Sequence, residues 1–218
     1  MNTKRLYWWL IPLFGLGALT CTREYIDDLQ GVCFERDVLP IFQSNCTQSG
    51  CHNSQDRESG YDLSSYNGIM AGGITPGNYK ASKIYKVLVT PFGRMPQSPF
   101  SRLTDEQITT IAVWIEDGAL NEVCPIDTSC NVTGVSFSGS VRPILQLYCN
   151  GCHSGSNPEG GINYSTYNGV KANVDNGSLL GSIQHLSAYV AMPKNANKLS
   201  PCNINIIKAW IDSGAPNN

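Results

Sequence analysis

An internal duplication constrains the fold of this chain more than any other feature, because matched blocks recur in one order along both halves. The blocks begin at Val32, Val38, Cys51, Tyr66, Met95 and Trp114 in the first copy, and at Val135, Val141, Cys152, Tyr167, Met192 and Trp210 in the second. The last block reads Trp-Ile-Glu-Asp-Gly-Ala in one copy and Trp-Ile-Asp-Ser-Gly-Ala in the other. We therefore expect two related domains over residues 32–121 and 135–218, joined by a linker over 122–134.

Each unit is predicted to begin and end with a helix. Pro40 and Pro143 lie near the starts of the opening helices, where a missing backbone N–H costs least. The closing helix of the first unit begins with a capping box of Thr104 and Gln107, and Ser200 caps the closing helix of the second.

The segments between these helices are rich in Gly, Asn and Ser and lack hydrophobic periodicity, so we expect loops there. Trp114 and Trp210 on the closing helices are expected in the core. Tyr66 and Tyr167 are expected either near a cofactor or as loop anchors. A unit this small has a thin core of its own, which a large apolar cofactor would complete. The expected class is all-α, as two tandem, loop-rich domains.

The second unit contains a C-x-x-C-H motif, Cys149-Asn-Gly-Cys152-His153. Two thiols at this spacing can add to the two vinyl groups of one haem, and the next residue then places an imidazole on the iron. One alternative is a disulfide between Cys149 and Cys152 beside an incidental histidine. The other is half of a zinc site, for which this unit has no second ligand pair. We favour covalent haem attachment.

The first unit contains Cys46-Thr-Gln-Ser-Gly-Cys51-His52, which is a C-x4-C-H with two extra residues. It occupies the place of the regular motif in the duplicated pattern, and Gly50 could let the extra residues loop out. We therefore predict a second haem here. The alternative is a degenerate copy that keeps a Cys46–Cys51 disulfide.

Met95 and Met192, each followed by proline, are predicted to bind the haem irons on the faces opposite His52 and His153. Thioether sulfur favours reduced iron and raises the reduction potential. The alternative is that both methionines only fill the core. His185, the remaining histidine, either competes as a ligand or is an ordinary surface histidine.

Four further cysteines are candidates for disulfides: Cys33, Cys124, Cys130 and Cys202. Three pairings are possible, and the sequence does not choose among them. We prefer Cys33–Cys124 with Cys130–Cys202, because each bond would join the ends of one unit. In the alternative, Cys124–Cys130 staples the linker and Cys33 reaches Cys202.

The N-terminal segment is typical of a bacterial lipoprotein leader. Lys4 and Arg5 precede an apolar stretch that is too short to span a bilayer, so residues 1–20 are predicted to be a signal peptide. Cys21 would become the lipidated N-terminus, and residues 21–31 would form a tether. The alternative is plain secretion.

Several of these features together resemble the cytochrome c domain first described in planctomycete proteins. They are Pro143-Ile144-Leu145, Pro76-Gly77 before Ser82, Met95-Pro96, Met192-Pro193, and Ala209-Trp210-Ile211 before Gly214-Ala215. The resemblance covers nearly everything after residue 31, and it implies class I cytochrome c folds with His/Met ligation.

These observations predict a dihaem c-type cytochrome lipoprotein that carries electrons in the bacterial cell envelope, facing the periplasm or the cell surface. A haem with both axial positions filled has no vacant site for a substrate, so we expect a carrier and not an enzyme. The rivals are a dihaem cytochrome c peroxidase-like enzyme and a structural or sensory lipoprotein with little haem. The expected partners are transiently docking redox proteins and the membrane. The formal charge of −2 gives no basic footprint for nucleic acid.

Overall fold

The computed structural model describes residues 31–124 and 130–218. Over these residues the chain forms eight helices: α1 (Leu39–Asn45), α2 (Tyr66–Ala71), α3 (Lys83–Val89), α4 (Asp105–Glu116), α5 (Arg142–Tyr148), α6 (Tyr167–Asp175), α7 (Ser178–Ile183) and α8 (Pro201–Asp212). No strand occurs in this described part, and the expected all-α class is confirmed. None of its helices is long and apolar enough to cross a membrane.

Each opening helix is preceded by a π-helical turn. Phe34–Val38 runs directly into α1, and Phe137–Val141 runs directly into α5. The predicted prolines lie in the first turns of α1 and α5, and the predicted caps at α4 and α8 are present. The Thr104 hydroxyl accepts from the Gln107 N–H at 3.3 Å, and the Gln107 side chain accepts from the Thr104 N–H at 3.0 Å. The proline and capping patterns therefore predict the starts of these four helices correctly.

The expectation of loops between the opening and closing helices was wrong in part. This region contains α2 and α3 in the first repeat, and α6 and α7 in the second. Each has nine residues or fewer, too short to display a clear hydrophobic period in the sequence. Side-chain caps begin two of them, since Ser65 accepts from the N–H of Gly68 and Thr166 from the N–H of Gly169.

Residues 31–218 form one compact unit that contains two separate hydrophobic clusters. The first is drawn from the first repeat and includes Phe34, Ile41, Ile69, Ile111 and Trp114. The second is drawn from the second repeat and includes Phe137, Leu145, Val170, Ile207 and Trp210. One side chain of the second repeat, Leu147 of α5, packs against the first cluster.

The same aromatic arrangement lies at the centre of both clusters. The ring centroid of Phe34 is 5.3 Å from that of Trp114 and 5.1 Å from that of Tyr66. The equivalent distances are 5.4 and 5.3 Å in the second repeat, for Phe137 with Trp210 and Tyr167. Trp114 and Trp210 are buried, as predicted.

Tyr66 and Tyr167 act as anchors for the chain after the closing helices. The Tyr66 hydroxyl donates to the carbonyl of Ala119 at 2.9 Å, and the Tyr167 hydroxyl donates to that of Ala215 at 2.8 Å. Both alanines have left-handed backbone angles, with φ of 53° and 52°. That conformation costs an alanine about 1–2 kcal/mol, and the hydrogen bond from the tyrosine and the burial of the alanine help to offset this cost. Of the two roles considered for these tyrosines, the structure therefore has them as anchors.

Two disulfides tie the described chain together. Cys33 is bonded to Cys124 and Cys130 to Cys202, with Cα–Cα distances of 5.9 and 5.4 Å. This is the pairing that we preferred from the sequence. The first bond joins the two ends of the first repeat, and the second joins the segment before the second repeat to the start of its closing helix. Each bond stabilises its repeat mainly by restricting the unfolded chain.

The start of α6 leaves no room for a side chain at Gly169. A Cβ there would overlap the carbonyl oxygen of Asn163, so we expect Gly169→Ala to lower the free energy of unfolding by about 1–3 kcal/mol. Gly139→Ala is the matched control in the same repeat, since its Cβ would meet only the Ser136 hydroxyl at 3.0 Å. Urea unfolding of both variants measures the difference, and equal stabilities would contradict this close approach.

Candidate functional site

The C-x-x-C-H motif of the second repeat is a tight turn at the end of α5. Cys149 caps this helix, with its N–H donating to the carbonyl of Leu145 at 2.9 Å. The N–H groups of Cys152 and His153 both donate back to the carbonyl of Cys149, at 3.1 and 2.9 Å. This turn therefore holds both thiols and the imidazole in one short segment.

The irregular motif of the first repeat keeps the same frame in spite of its two extra residues. Cys46 caps α1, and the His52 N–H donates to the Cys46 carbonyl at 2.9 Å, as its counterpart does in the second motif. Gly50 adopts a left-handed φ of 78°, as the sequence suggested for a loop that absorbs the extra length. The insertion therefore leaves His52 in the same hydrogen-bonded relation to the first cysteine.

Both motif histidines are oriented by a backbone carbonyl. The Nδ1 atom of His52 is 3.0 Å from the Glu58 carbonyl oxygen, and that of His153 is 3.0 Å from the Glu159 carbonyl oxygen. A carbonyl oxygen only accepts, so this contact places the ring proton on Nδ1 and leaves the lone pair of Nε2 free to bind a metal.

None of the four motif cysteines is in a disulfide, so the disulfide alternatives for the two motifs are not what the structure has. Burial raises the pKa of Cys46 and Cys149 from 9.0 to about 12, and the second thiol of the same motif adds to the shift. Burial, followed by the Glu159 carboxylate, raises the pKa of Cys152 to about 12. Burial and neighbouring carboxylates also raise the pKa of Cys51. Before any modification these sulfurs are therefore neutral thiols at neutral pH.

A cleft of about 1180 Å³ brings the predicted residues of the second site together. Cys149, Cys152, His153 and Met192 all line it. Apolar walls come from side chains of α7 and the loops around it, including Leu179, Ile183, Ile162 and Leu199. The cleft is slightly larger than the roughly 300–1,000 Å³ of ordinary small-molecule sites, so a bulky group with a large apolar surface would fit.

In the first repeat, Cys46 and Met95 both pack against the first hydrophobic cluster. The Met95 N–H is tied to the carbonyl of Val87 at the end of α3, at 2.9 Å. In the second repeat the Met192 N–H is tied in the same way to Ser182 of α7, at 3.1 Å. In both repeats, a backbone hydrogen bond therefore holds the methionine against the short helix that precedes it.

His185 is exposed and does not line the cleft. Its Nε2 donates an N–H to the carbonyl oxygen of Met192, at 3.0 Å. Of the two roles considered for His185, the hydrogen-bonded surface histidine is the one present.

The donor set fits a covalently attached haem. Two thiols, one imidazole with a free Nε2 and one thioether line a cleft in the second repeat whose walls are partly apolar. Within the described residues, no group of three or more His, Cys, Asp or Glu side chains is arranged to hold a bare metal ion. Sulfur and imidazole donors around a large, partly apolar cleft match a metallated macrocycle better than a four-ligand ion site.

Sequence reasoning missed two parts of the site. The first is the pair of orienting carbonyls at Glu58 and Glu159, for which a signal existed: each lies six residues after its histidine and begins a Glu-x-Gly. The second is the contribution of the first repeat to the second cleft, through Gln43, Ser44 and Thr47. Nothing local in the sequence indicates this contact, because it depends on how the repeats pack.

The chain matches no model of a known protein family, no curated protein and no solved structure. The candidate sites therefore stand on their own geometry.

The raised thiol pKa values predict a pH dependence that haem attachment should remove. In the haem-free protein the folded state retains thiol protons that the unfolded chain releases near pH 9, so the free energy of unfolding should fall as pH rises from about 9 towards 12. Once the sulfurs are thioethers they no longer titrate, and this loss should be absent. Urea unfolding of both forms at neutral pH and near pH 10 tests it. A haem-free protein equally stable at both pH values would contradict the prediction.

Proposed function

We propose that this chain is a dihaem c-type cytochrome that transfers electrons in the bacterial cell envelope. The observation that carries the proposal is the common frame of the two motifs. In both motifs, the backbone N–H of the histidine donates to the carbonyl of the first cysteine, and the ring Nδ1 bonds to a backbone carbonyl six residues later. Each motif therefore has an Nε2 atom that is free to bind a metal, beside two unpaired thiols, and each haem attachment requires one such set.

In the second repeat Cys149 and Cys152 would hold the haem through thioether bonds, and His153 and Met192 would be the axial ligands. Their common position in one cleft supports this assignment. In the first repeat the corresponding residues would be Cys46, Cys51, His52 and Met95. The support there is the conserved backbone frame and the packing of Cys46 and Met95 on one hydrophobic cluster.

A bound haem supplies a one-electron redox centre, and the chain's own residues decide how it is used. A methionine on the second axial position would favour reduced iron and leave no vacant coordination site. Carrier function, with transient docking of redox partners, follows from that arrangement better than peroxidase chemistry, which needs one open site. A structural or sensory lipoprotein would not need two oriented imidazoles with free Nε2 atoms.

The methionine ligands can be tested by conservative substitution. In the wild type we expect two haems per chain by the pyridine haemochrome assay, with sulfur-to-iron charge-transfer absorption from both. Met95→Leu and Met192→Leu should each remove about half of that absorption, because leucine fills the volume without a sulfur donor. Met70→Leu is the matched control, since Met70 packs against the first cluster and has no counterpart in the second repeat.

A chain that binds no haem would overturn the proposed function. A wild type in which only one haem shows the sulfur absorption would favour the peroxidase-like alternative.

The membrane anchor is a separate part of the proposal, and it lies outside the described residues. We expect the lipid on Cys21 to hold the chain at the envelope, since several acyl chains anchor more firmly than one. Cys21→Ser should move the protein from the membrane fraction to the soluble fraction. Thr20→Gly should remain membrane-bound, because glycine suits the cleavage box better. Fractionation of cells followed by blotting measures this, and membrane retention of Cys21→Ser would exclude the lipid anchor.

A further inference from the structure

The two repeats meet at the ends of their opening helices. α1 packs against α5, and the Ser44 hydroxyl donates to the carbonyl of Leu147 at 2.9 Å. Ser44 lies four residues after Pro40, and Leu147 lies four residues after Pro143. Equivalent positions of the duplicated pattern are therefore in contact. The haem motifs begin immediately after these helices, at Cys46 and Cys149.

The second haem motif rests directly on the backbone of α1. A Cβ at Gly151 would overlap the carbonyl of Ser44, so only glycine allows this approach. The Cys152 sulfur lies 3.6 Å from the same Ser44 oxygen. The absence of a side chain at the central glycine of the second motif thus allows the two repeats to pack closely at this point.

The two extra residues of the first motif supply the bond across this contact. Aligning the motifs at Cys51-His52 and Cys152-His153 leaves Thr47 and Gln48 without counterparts. Gln48 is buried, and its side-chain amide donates to the carbonyl of Ser44 at 2.7 Å and to the carbonyl of Gly151 at 3.3 Å. The insertion therefore continues the turn beyond α1 and places an amide between the two motifs.

Further contacts flank this centre. The hydroxyl oxygens of Ser101 and Ser154 lie 3.1 Å apart, and the Gln107 amide of α4 donates to the Gln146 carbonyl of α5 at 3.4 Å. The Tyr148 hydroxyl also donates to the Arg36 carbonyl at 3.4 Å, but the Gln48 bond is the one that the insertion itself supplies to the second motif.

We propose that the Thr47–Gln48 insertion is a clasp between the repeats that holds the two haem-attachment motifs together, so that the two haems exchange electrons directly. This rests on the proposed function, since it requires a haem in each repeat. The C-x4-C-H spacing is then a positioning device and not a decayed motif. Gln48 is a positioning residue: its amide bonds to backbone carbonyls on both sides of the contact, and its side chain also hydrogen-bonds the Cys152 thiol.

The test compares four forms of the haem-loaded, full-length protein. They are the wild type, Gln48→Ala, a deletion of residues 47 and 48 that restores C-x-x-C-H spacing, and the control Asn78→Ala. Asn78 is exposed and lies outside the cleft, and its side chain accepts from the Ala81 N–H at 2.9 Å, within the first repeat. Haem content is measured first, followed by Soret-region circular dichroism and electron paramagnetic resonance of the oxidised protein.

In the wild type and in Asn78→Ala we expect an exciton couplet in the Soret region and spin coupling between the irons. Gln48→Ala and the deletion should each retain two haems and lose most of the couplet and of the spin coupling. Limited proteolysis should also cut between the repeats faster in these two variants, a readout that does not depend on the haem signal.

Two haems in the wild type with no couplet and no spin coupling would overturn the clasp and leave the proposed function standing. An unchanged couplet in both Gln48→Ala and the deletion would show that the insertion does not hold the motifs together. A wild type with one haem would instead contradict the proposed haem attachment in the first repeat, and the haem assay distinguishes that case from the others.

Discussion

The packing of Phe34 on Trp114, and of Phe137 on Trp210, is the contact on which the rest of each repeat depends. It fixes the closing helix against the π-helical turn that leads into the opening helix. The opening helix then ends at the first motif cysteine, so the position of the Cys-His motif is set by a buried aromatic pair at the other end of the helix. A loop-rich repeat with a thin core can hold a precise site only if such a pair defines the direction of that one helix.

Cysteine use in this chain follows a clear division. Four cysteines close the two repeats as disulfides, and the four motif cysteines remain unpaired and partly buried. In an oxidising compartment adjacent thiols tend to pair, and a neutral thiol of high pKa is a poor nucleophile for exchange. Burial of Cys46, Cys149 and Cys152 would therefore protect the motif thiols from disulfide exchange until the proposed haem attachment, while the other four cysteines form the two disulfides.

The parts of the fold that sequence could predict are those with local or repeated signals. The capping box at Thr104, the prolines of the opening helices and the matched tryptophans each leave a pattern within a few residues. The disulfide preference followed from the same duplication, because joining the ends of a repeat is the simplest arrangement. The short helices α2, α3, α6 and α7 escaped prediction, since fewer than three turns give no reliable period. The contact of Gly151 with Ser44 had no local signal at all, because it exists only once the repeats are packed.

The insertion at Thr47–Gln48 breaks the symmetry that the duplication would otherwise impose. Each motif histidine has the same carbonyl partner and the same distance, so the orientation of the imidazoles does not distinguish the two sites. Their surroundings do: His153 is buried, whereas His52 is only partly so, and residues of the first repeat wall the second cleft. Solvent exposure and neighbouring charge are the levers by which a protein sets a haem potential. With haems bound as proposed, two sites built from one ancestral pattern would therefore differ in potential, which gives electron flow through the pair a direction.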